Sequence, residues 1–259
     1  MFHPHGEVFF RVFLNNPNQI TVNQHVIPQK HLAEWLCGEN LITVINKLTG
    51  ESLQRAPKDA FVVARLWDQP AEQGMIKSTE DLYQEQIDLL RSQGSIDRQV
   101  IITEYFVMLA ARAYCTARAR PYYGSIMEPS SWMPSQAELE EDEVDQIHDT
   151  VRIFRGAGNA HAMARQVVTM ALTQIFIRGR LVLQDTVWVP YSTTGGKFIL
   201  PDSNWALYEA KFLAVPVSPD LVLLDELLFN QLYEAGQLSP EYLNARFLEA
   251  SLRHYVVPK

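Results

Sequence analysis

The chain reads as an α+β protein with a mainly helical core, an N-terminal β-hairpin and a C-terminal antiparallel sheet. Three observations predict this. Apolar residues recur at helical spacing through the middle of the chain, and two β-branched runs near the start are joined by a turn cluster. The C-terminal region consists of short apolar runs broken by Pro, Gly, Asp and Asn. No repeat or low-complexity linker interrupts the sequence, so one domain over residues 1–259 is expected, with residues 1–22 as a strand-bearing extension.

Each element follows from local chemistry. Val8-Phe9-Phe10-Arg11-Val12-Phe13-Leu14 alternates like a strand, with Phe9 and Phe13 on one face. Arg11 breaks the apolar run and Glu7 precedes it, which is not the pattern of a secretory signal. From Pro28, Leu32, Trp35 and Leu36 fall at helical spacing, and Gly38 ends that short helix. Leu41–Ile45 and Glu51–Arg55 read as strands joined through Asn46-Lys47-Leu48-Thr49-Gly50. Ser78 or Thr79 is placed to cap a helix from Glu80 to Ser92. A long helix from Arg98 to about Ala119 buries Ile101, Ile102, Tyr105, Phe106, Leu109 and Ala113, and Pro121 is expected to stop it.

Tyr122 to Pro134 has no period and reads as a loop, and Ser135-Gln136-Ala137-Glu138 is a capping box opening another helix. A third long helix is expected from Asn159 to Arg178, ended by Gly179. Leu181–Tyr191, Phe198–Leu200 and Phe212–Val217 read as strands. Ser239-Pro240-Glu241 puts proline at the first position of a final helix that runs to about Arg253.

Composition bounds the function. The 47% apolar and 20% charged residues are those of a globular protein able to build a core. A formal net charge of −8 opposes broad non-specific binding to nucleic acid, which needs a basic surface to displace counterions. Cys37 and Cys115 lie far apart in apolar surroundings and read as buried free thiols of a reducing compartment. With no Cys-x-x-Cys pair, a zinc site built of thiolates is excluded. No run approaches the ~18 continuous apolar residues of a membrane span. A soluble, cytoplasmic protein without a membrane partner is expected.

The order of short segments resembles domain-of-unknown-function family 4238, a broad and mostly bacterial set. His25-Val26-Ile27-Pro28, Leu32 and Lys47-Leu48-Thr49-Gly50 stand where that family has a His-Tyr-Val-Pro segment, a short helix and a hairpin ending in Thr-Gly. Arg112-Ala113-Tyr114 holds the place of its Arg-x-Pro segment without the proline. Trp188, Phe198 with Pro201-Asp202-Ser203-Asn204, and Pro216-Val217-Ser218-Pro219 follow in the family's order, and Asn244 and Ala250 echo its last helix. Trp205 replaces the family's proline after the turn. The resemblance covers residues 23–255 and implies a fold; it carries no established reaction.

Two nuclease-like constellations stand out. His25-Val26-Ile27-Pro28 followed by Asn40-Leu41 is similar to the start of an HNH endonuclease, in which a histidine activates water beside one metal ion. Against it, Gln24 occupies the usual place of a metal ligand, residues 29–36 read as helix, and no later histidine follows at the required spacing. The plainer reading is a histidine bonded to neighbouring backbone.

Pro201-Asp202 with Glu209-Ala210-Lys211 has the letters of a PD-(D/E)xK nuclease, whose Asp and Glu share a Mg or Mn ion while Lys orients the attacking water. The register decides. With Ser203-Asn204 as a two-residue hairpin loop, Asp202 pairs with Trp205 and Glu209 lies about 13 Å further along the strand. With a four-residue loop Asp202 faces Leu207 and Glu209 is a diagonal neighbour at ~7–8 Å, close enough to share an ion. Otherwise Asp202 is a turn residue bonding its own backbone, and Glu209 and Lys211 lie on a solvated strand face.

The acidic run Glu138, Glu140, Glu141, Asp142, Glu143 and Asp145 suits a helix start, or a surface for a basic partner. His161, near Arg155 and Arg165 after Gly156-Ala157-Gly158, is a candidate for holding an anion at a helix N-terminus, although the glycines follow no known phosphate-loop pattern. No Gly-x-Ser-x-Gly elbow, His-Glu-x-x-His pair or Walker loop is present. The expectation is a non-catalytic interaction or accessory protein with a protein partner, with mobile elements or defence as its context, docking through residues 122–133. The alternative is a metal-dependent nuclease acting on nucleic acid through Asp202, Glu209 and Lys211, with His25 an outside candidate and Asp202 and Glu209 as the metal ligands.

Overall fold

The computed structural model describes residues 21–124 and 160–258. The strand expected at Val8–Leu14, the capping-box helix at Ser135, the acidic run and Gly156–Asn159 fall outside these residues, as does the loop expected at 122–134 beyond Gly124. The described residues form an α+β fold in which helices pack among three antiparallel sheets.

The core is organised by α4, Gln99–Gly124, because its residues from Ile101 to Ala113 are buried on every side. A helix apolar all round must be surrounded. Here the surroundings are α3 (Lys77–Gln93), α5 (Ala160–Val182) and a short α6 (Trp205–Glu209). The stretch Gln99–Arg118 is long and apolar enough to cross a membrane, yet 72% of its most apolar window is buried inside the protein. Pro121 does not stop α4. It lies in the last turn, where a missing N–H removes a single bond, and the helix ends at Gly124.

The start of the α3 helix also differs from expectation. Asp68 caps α2 (Gln69–Ala71), with Oδ1 accepting the Ala71 N–H at 2.9 Å and Pro70 in the first turn. A π turn over Glu72–Ile76 then leads into α3 without a break. Ser78 and Thr79 are therefore interior, and the Thr79 hydroxyl donates back to the Met75 carbonyl at 2.8 Å. Gly94, at φ 74°, closes the helix in the left-handed conformation.

Gly179, expected as the stop of α5, lies inside it. A Cβ there would sit 2.5 Å from Val107 Cγ1 and 3.2 Å from the Tyr208 hydroxyl. The glycine lets α5 approach α4 and α6, so here it is a packing residue.

The expected hairpin is present. Strand β2 (Ile42–Asn46) pairs with β3 (Ser52–Arg55) from Ile42 opposite Arg55 to Ile45 opposite Ser52, and Asn46 Oδ1 accepts the Leu48 and Thr49 N–H groups in the turn. The hairpin and the C-terminus share one sheet, ordered β3-β2-β9-β6, where β6 is Leu200–Pro201 and β9 is His254–Val257. The last helix, Pro240–Ala250, is consequently shorter than expected, since the chain must turn back to form β9.

The second sheet is β5-β8-β7: Trp188–Ser192, Leu221–Asp225 and Ala214–Ser218. A small third sheet pairs β1 (Asn23–His25) with β4 (Val62–Ala64) and so holds His25 beside the helical core. Three tryptophans anchor these layers, each fully buried with its indole N–H satisfied: Trp35 to Phe198 O, Trp67 to Glu72, and Trp188 to Thr103.

Candidate functional site

The two nuclease-like constellations sit in different places. Asp202 follows β6, and its carboxylate accepts three backbone N–H groups, from Leu252 at 2.7 Å, Arg253 at 3.0 Å and His254 at 2.9 Å. It thereby fixes the turn into β9. Neither of the strand registers weighed for Asp202 and Glu209 is formed, because Trp205–Glu209 is a helix. Helical spacing wins because it buries Leu207 and brings Trp205 to 4.4 Å from Tyr114 on α4, ring centroid to ring centroid. Glu209 closes that helix, exposed, and Lys211 follows, also exposed, at φ 53°. Among the described residues, no group of three or more His, Cys, Asp or Glu is placed to hold a metal ion.

At the other end, Gln24 is fully buried and staples the chain. Its Nε2 donates to the Trp67 carbonyl at 2.9 Å, and its Oε1 accepts the Leu66 and Trp67 N–H groups at 2.6 and 3.0 Å. Next to it, the His25 ring meets the Lys58 carbonyl at 3.2 Å through Nε2. A carbonyl only accepts, so Nε2 carries the hydrogen and Nδ1 is left with the lone pair.

His25 lines a cleft of about 410 Å³ that no sequence motif marked as a whole. One wall is β1 with Pro28 and helix α1 (Gln29–Leu32), the other is the π turn and α3, and α4 closes the bottom. The central cation is Arg112, only 1% exposed although it carries a guanidinium. Its Nη2 donates to Glu80 at 2.6 Å, and its Cζ stands 5.6 Å from the Trp67 ring. Its Nε and Nη1 have no acceptor among the described residues. Each such buried N–H costs about 1–3 kcal/mol until something accepts it.

Aromatic and acidic groups complete the lining. Tyr83 stacks on Tyr105 at 3.6 Å with the rings 8° from parallel, and the Tyr83 hydroxyl has no partner among the described residues. Burial pushes the pKa of both phenols up, so both stay protonated. Tyr105 donates to His31 Nδ1 at 2.7 Å while His31 Nε2 donates to the Pro216 carbonyl at 2.6 Å, an arrangement that fixes the tautomer. His31 is thus buried and neutral, its pKa lowered to about 4 by desolvation. Burial raises the Glu72 carboxyl above its ordinary value, although the Trp67 indole N–H donates to it. The pKa of His25 is lowered, first by burial; the charge of Arg112 adds to this, and the Lys58 carbonyl and Glu80 oppose it.

Of these residues only His25 was legible as chemistry. Arg112 entered as part of a three-residue likeness and Glu80 only as the start of a helix, while Glu72 and Tyr83 carried no motif that set them apart. The available signal was a lone arginine inside an apolar helix, between Ala111 and Ala113, where a guanidinium needs a reason to be buried. The chain matches no protein-family model, no curated protein and no solved structure.

Proposed function

We propose that the protein recognises a small molecule carrying an oxyanion, a carboxylate or a phosphate, in the cleft over Arg112, and that it acts as an accessory protein through this binding. The observation that carries the reading is the pair of donors, Arg112 Nε and Nη1, buried without acceptors among the described residues at the bottom of a cleft. A guanidinium cannot lose its proton to escape this cost, and a carboxylate or phosphate supplies several lone pairs at once. The Tyr83 hydroxyl adds a further group able to donate. The resemblance to domain-of-unknown-function family 4238 belongs to the same proposal, since its first segment contributes His25 and Pro28 to one wall. The geometry at Asp202 lends the nuclease reading no support, because the carboxylate already serves the turn into β9.

The test is to follow the Arg112 Nε–H signal by NMR in protein labelled with nitrogen-15, while sulfate or acetate is added at constant ionic strength. A saturable shift with either probe is the expected result, and the anion-dependent shifts of backbone amides lining the cleft should be lost in Arg112→Met. An Arg112 Nε–H signal indifferent to both anions, or one already bonded to ordered water and undisplaced by them, would overturn the reading.

A further inference from the structure

We infer that the cleft takes up its anionic ligand together with a proton, and that Nδ1 of His25 receives it. The inference rests on the ligand-binding reading above. No bond other than the new N–H forms, and the proton comes from bulk solvent.

The geometry singles out one atom. The bond from His25 Nε2–H to the Lys58 carbonyl is available in both protonation states, so the ring stays in place and only Nδ1 changes. His31, the other histidine lining the cleft, is less suited: protonating its Nδ1 would require the Tyr105 hydroxyl to turn and accept, and burial holds that ring neutral.

The charges around His25 come from every wall. Arg112 of α4 opposes an imidazolium, and Glu80 of α3 favours one but is already bonded to Arg112. Lys77 and Asp81, also on α3, pair with one another at 2.7 Å. Glu72 of the π turn is drawn towards its neutral form by burial, and Lys30 of α1 adds a positive charge at the rim. With burial as the largest influence and Arg112 as the foremost charge acting on it, His25 favours its neutral form. An oxyanion seated on Arg112 reverses the balance: it cancels the guanidinium's repulsion and adds a negative charge within the same cavity. By linkage the dependence is reciprocal, so lowering the pH strengthens anion binding, approaching tenfold per pH unit where the free ring is neutral and the bound ring charged.

Calorimetric titration of sulfate, and in parallel of acetate, is done near neutral pH in two buffers of different ionisation enthalpy. The pair reads proton uptake directly, and neither anion titrates in this range. The expected result is a substantial fraction of one proton taken up per anion, abolished in His25→Gln while anion binding persists more weakly. A readout independent of any variant is the His25 Cε1–H titration by NMR, whose midpoint should move to higher pH when sulfate is present. Anion binding with no proton uptake, or with uptake unchanged in His25→Gln and an unmoved midpoint, overturns this inference and leaves the ligand-binding reading standing. No binding of either anion overturns both.

Discussion

His31 makes the acid sensitivity of this fold predictable. Its ring is 4% exposed, joined to Tyr105 and Pro216, and its pKa falls from 6.5 to about 4. The unfolded chain therefore binds a proton at this site before the folded protein does. The site's contribution to stability is complete above pH 6.5 and is lost progressively as pH falls towards about 4. Integrated over the whole window the shift amounts to about 3 kcal/mol, of which about 2 kcal/mol is lost between pH 7 and pH 5. The charged groups that act on His31 are Glu34 and Arg91, bonded to each other at 2.7 and 3.1 Å, and they are the same in a variant at position 31.

His31→Gln keeps a donor for Pro216 and an acceptor for Tyr105 but does not titrate. Urea unfolding of both proteins at the two pH values yields a difference of differences in which the shifts of His25, His254 and Glu72 cancel. The wild type should lose about 2 kcal/mol more than His31→Gln. Equal losses, or a native His31 that titrates near its ordinary value by NMR, would refute the assignment of a buried neutral ring.

Other substitutions test the packing and the site. Gly179→Ala forces a methyl group into Val107, 2.5 Å from its Cγ1, and should cost about 1–3 kcal/mol by thermal or urea unfolding. Val107→Ala in the same chain should recover part of that loss, and additivity of the two would contradict the close approach. Asp202→Ala releases three backbone N–H groups at a partly exposed turn and should lower stability by about 1–2 kcal/mol, with Asp202→Asn costing less. Arg112→Met should leave urea stability within about 1 kcal/mol of wild type, or raise it, while abolishing anion binding.

What the sequence revealed depended on whether the information was local. The β2–β3 hairpin was legible because its alternation and its Asn46-to-Gly50 turn are complete in themselves. The central helix was legible because Ile101 to Ala113 leave no polar face for solvent. The sheet joining β2 to β9 depends on residues some two hundred positions apart, and nothing near either strand announces it. Trp205–Glu209 has too few residues to show a period, so whether it became strand or helix was settled by Leu207 and Trp205 packing on α4. Gly179 misled for the same reason: a glycine in a helical run has one look as a terminator and as a packing contact, and Val107 decides. His25 was visible because it stands beside Pro28 at a strand end. Its cleft partners Glu72, Glu80 and Arg112 come from other elements and gain meaning only when these are folded together.

The stability prediction for Arg112 separates a structural arginine from one kept for binding. A structural buried cation is surrounded by acceptors, and removing it strands them at a cost of about 3–5 kcal/mol. Arg112 differs on both counts. Its hydrogen-bond partner among the described residues, Glu80, is 29% exposed at its side chain and water can reach it once the cation is gone. Two of the guanidinium nitrogens have no acceptor among the described residues, so methionine in their place removes a penalty of about 1–3 kcal/mol for each. Against this stand the Glu80 bond and the contact with the Trp67 ring, together worth about 2–4 kcal/mol. The opposing contributions overlap in size, so the fold alone gives little reason to keep an arginine here. If Arg112→Met loses more than about 3 kcal/mol, the guanidinium is fully satisfied in solution and its case as an anion receptor falls. If it loses little, the cleft is where the arginine has its use.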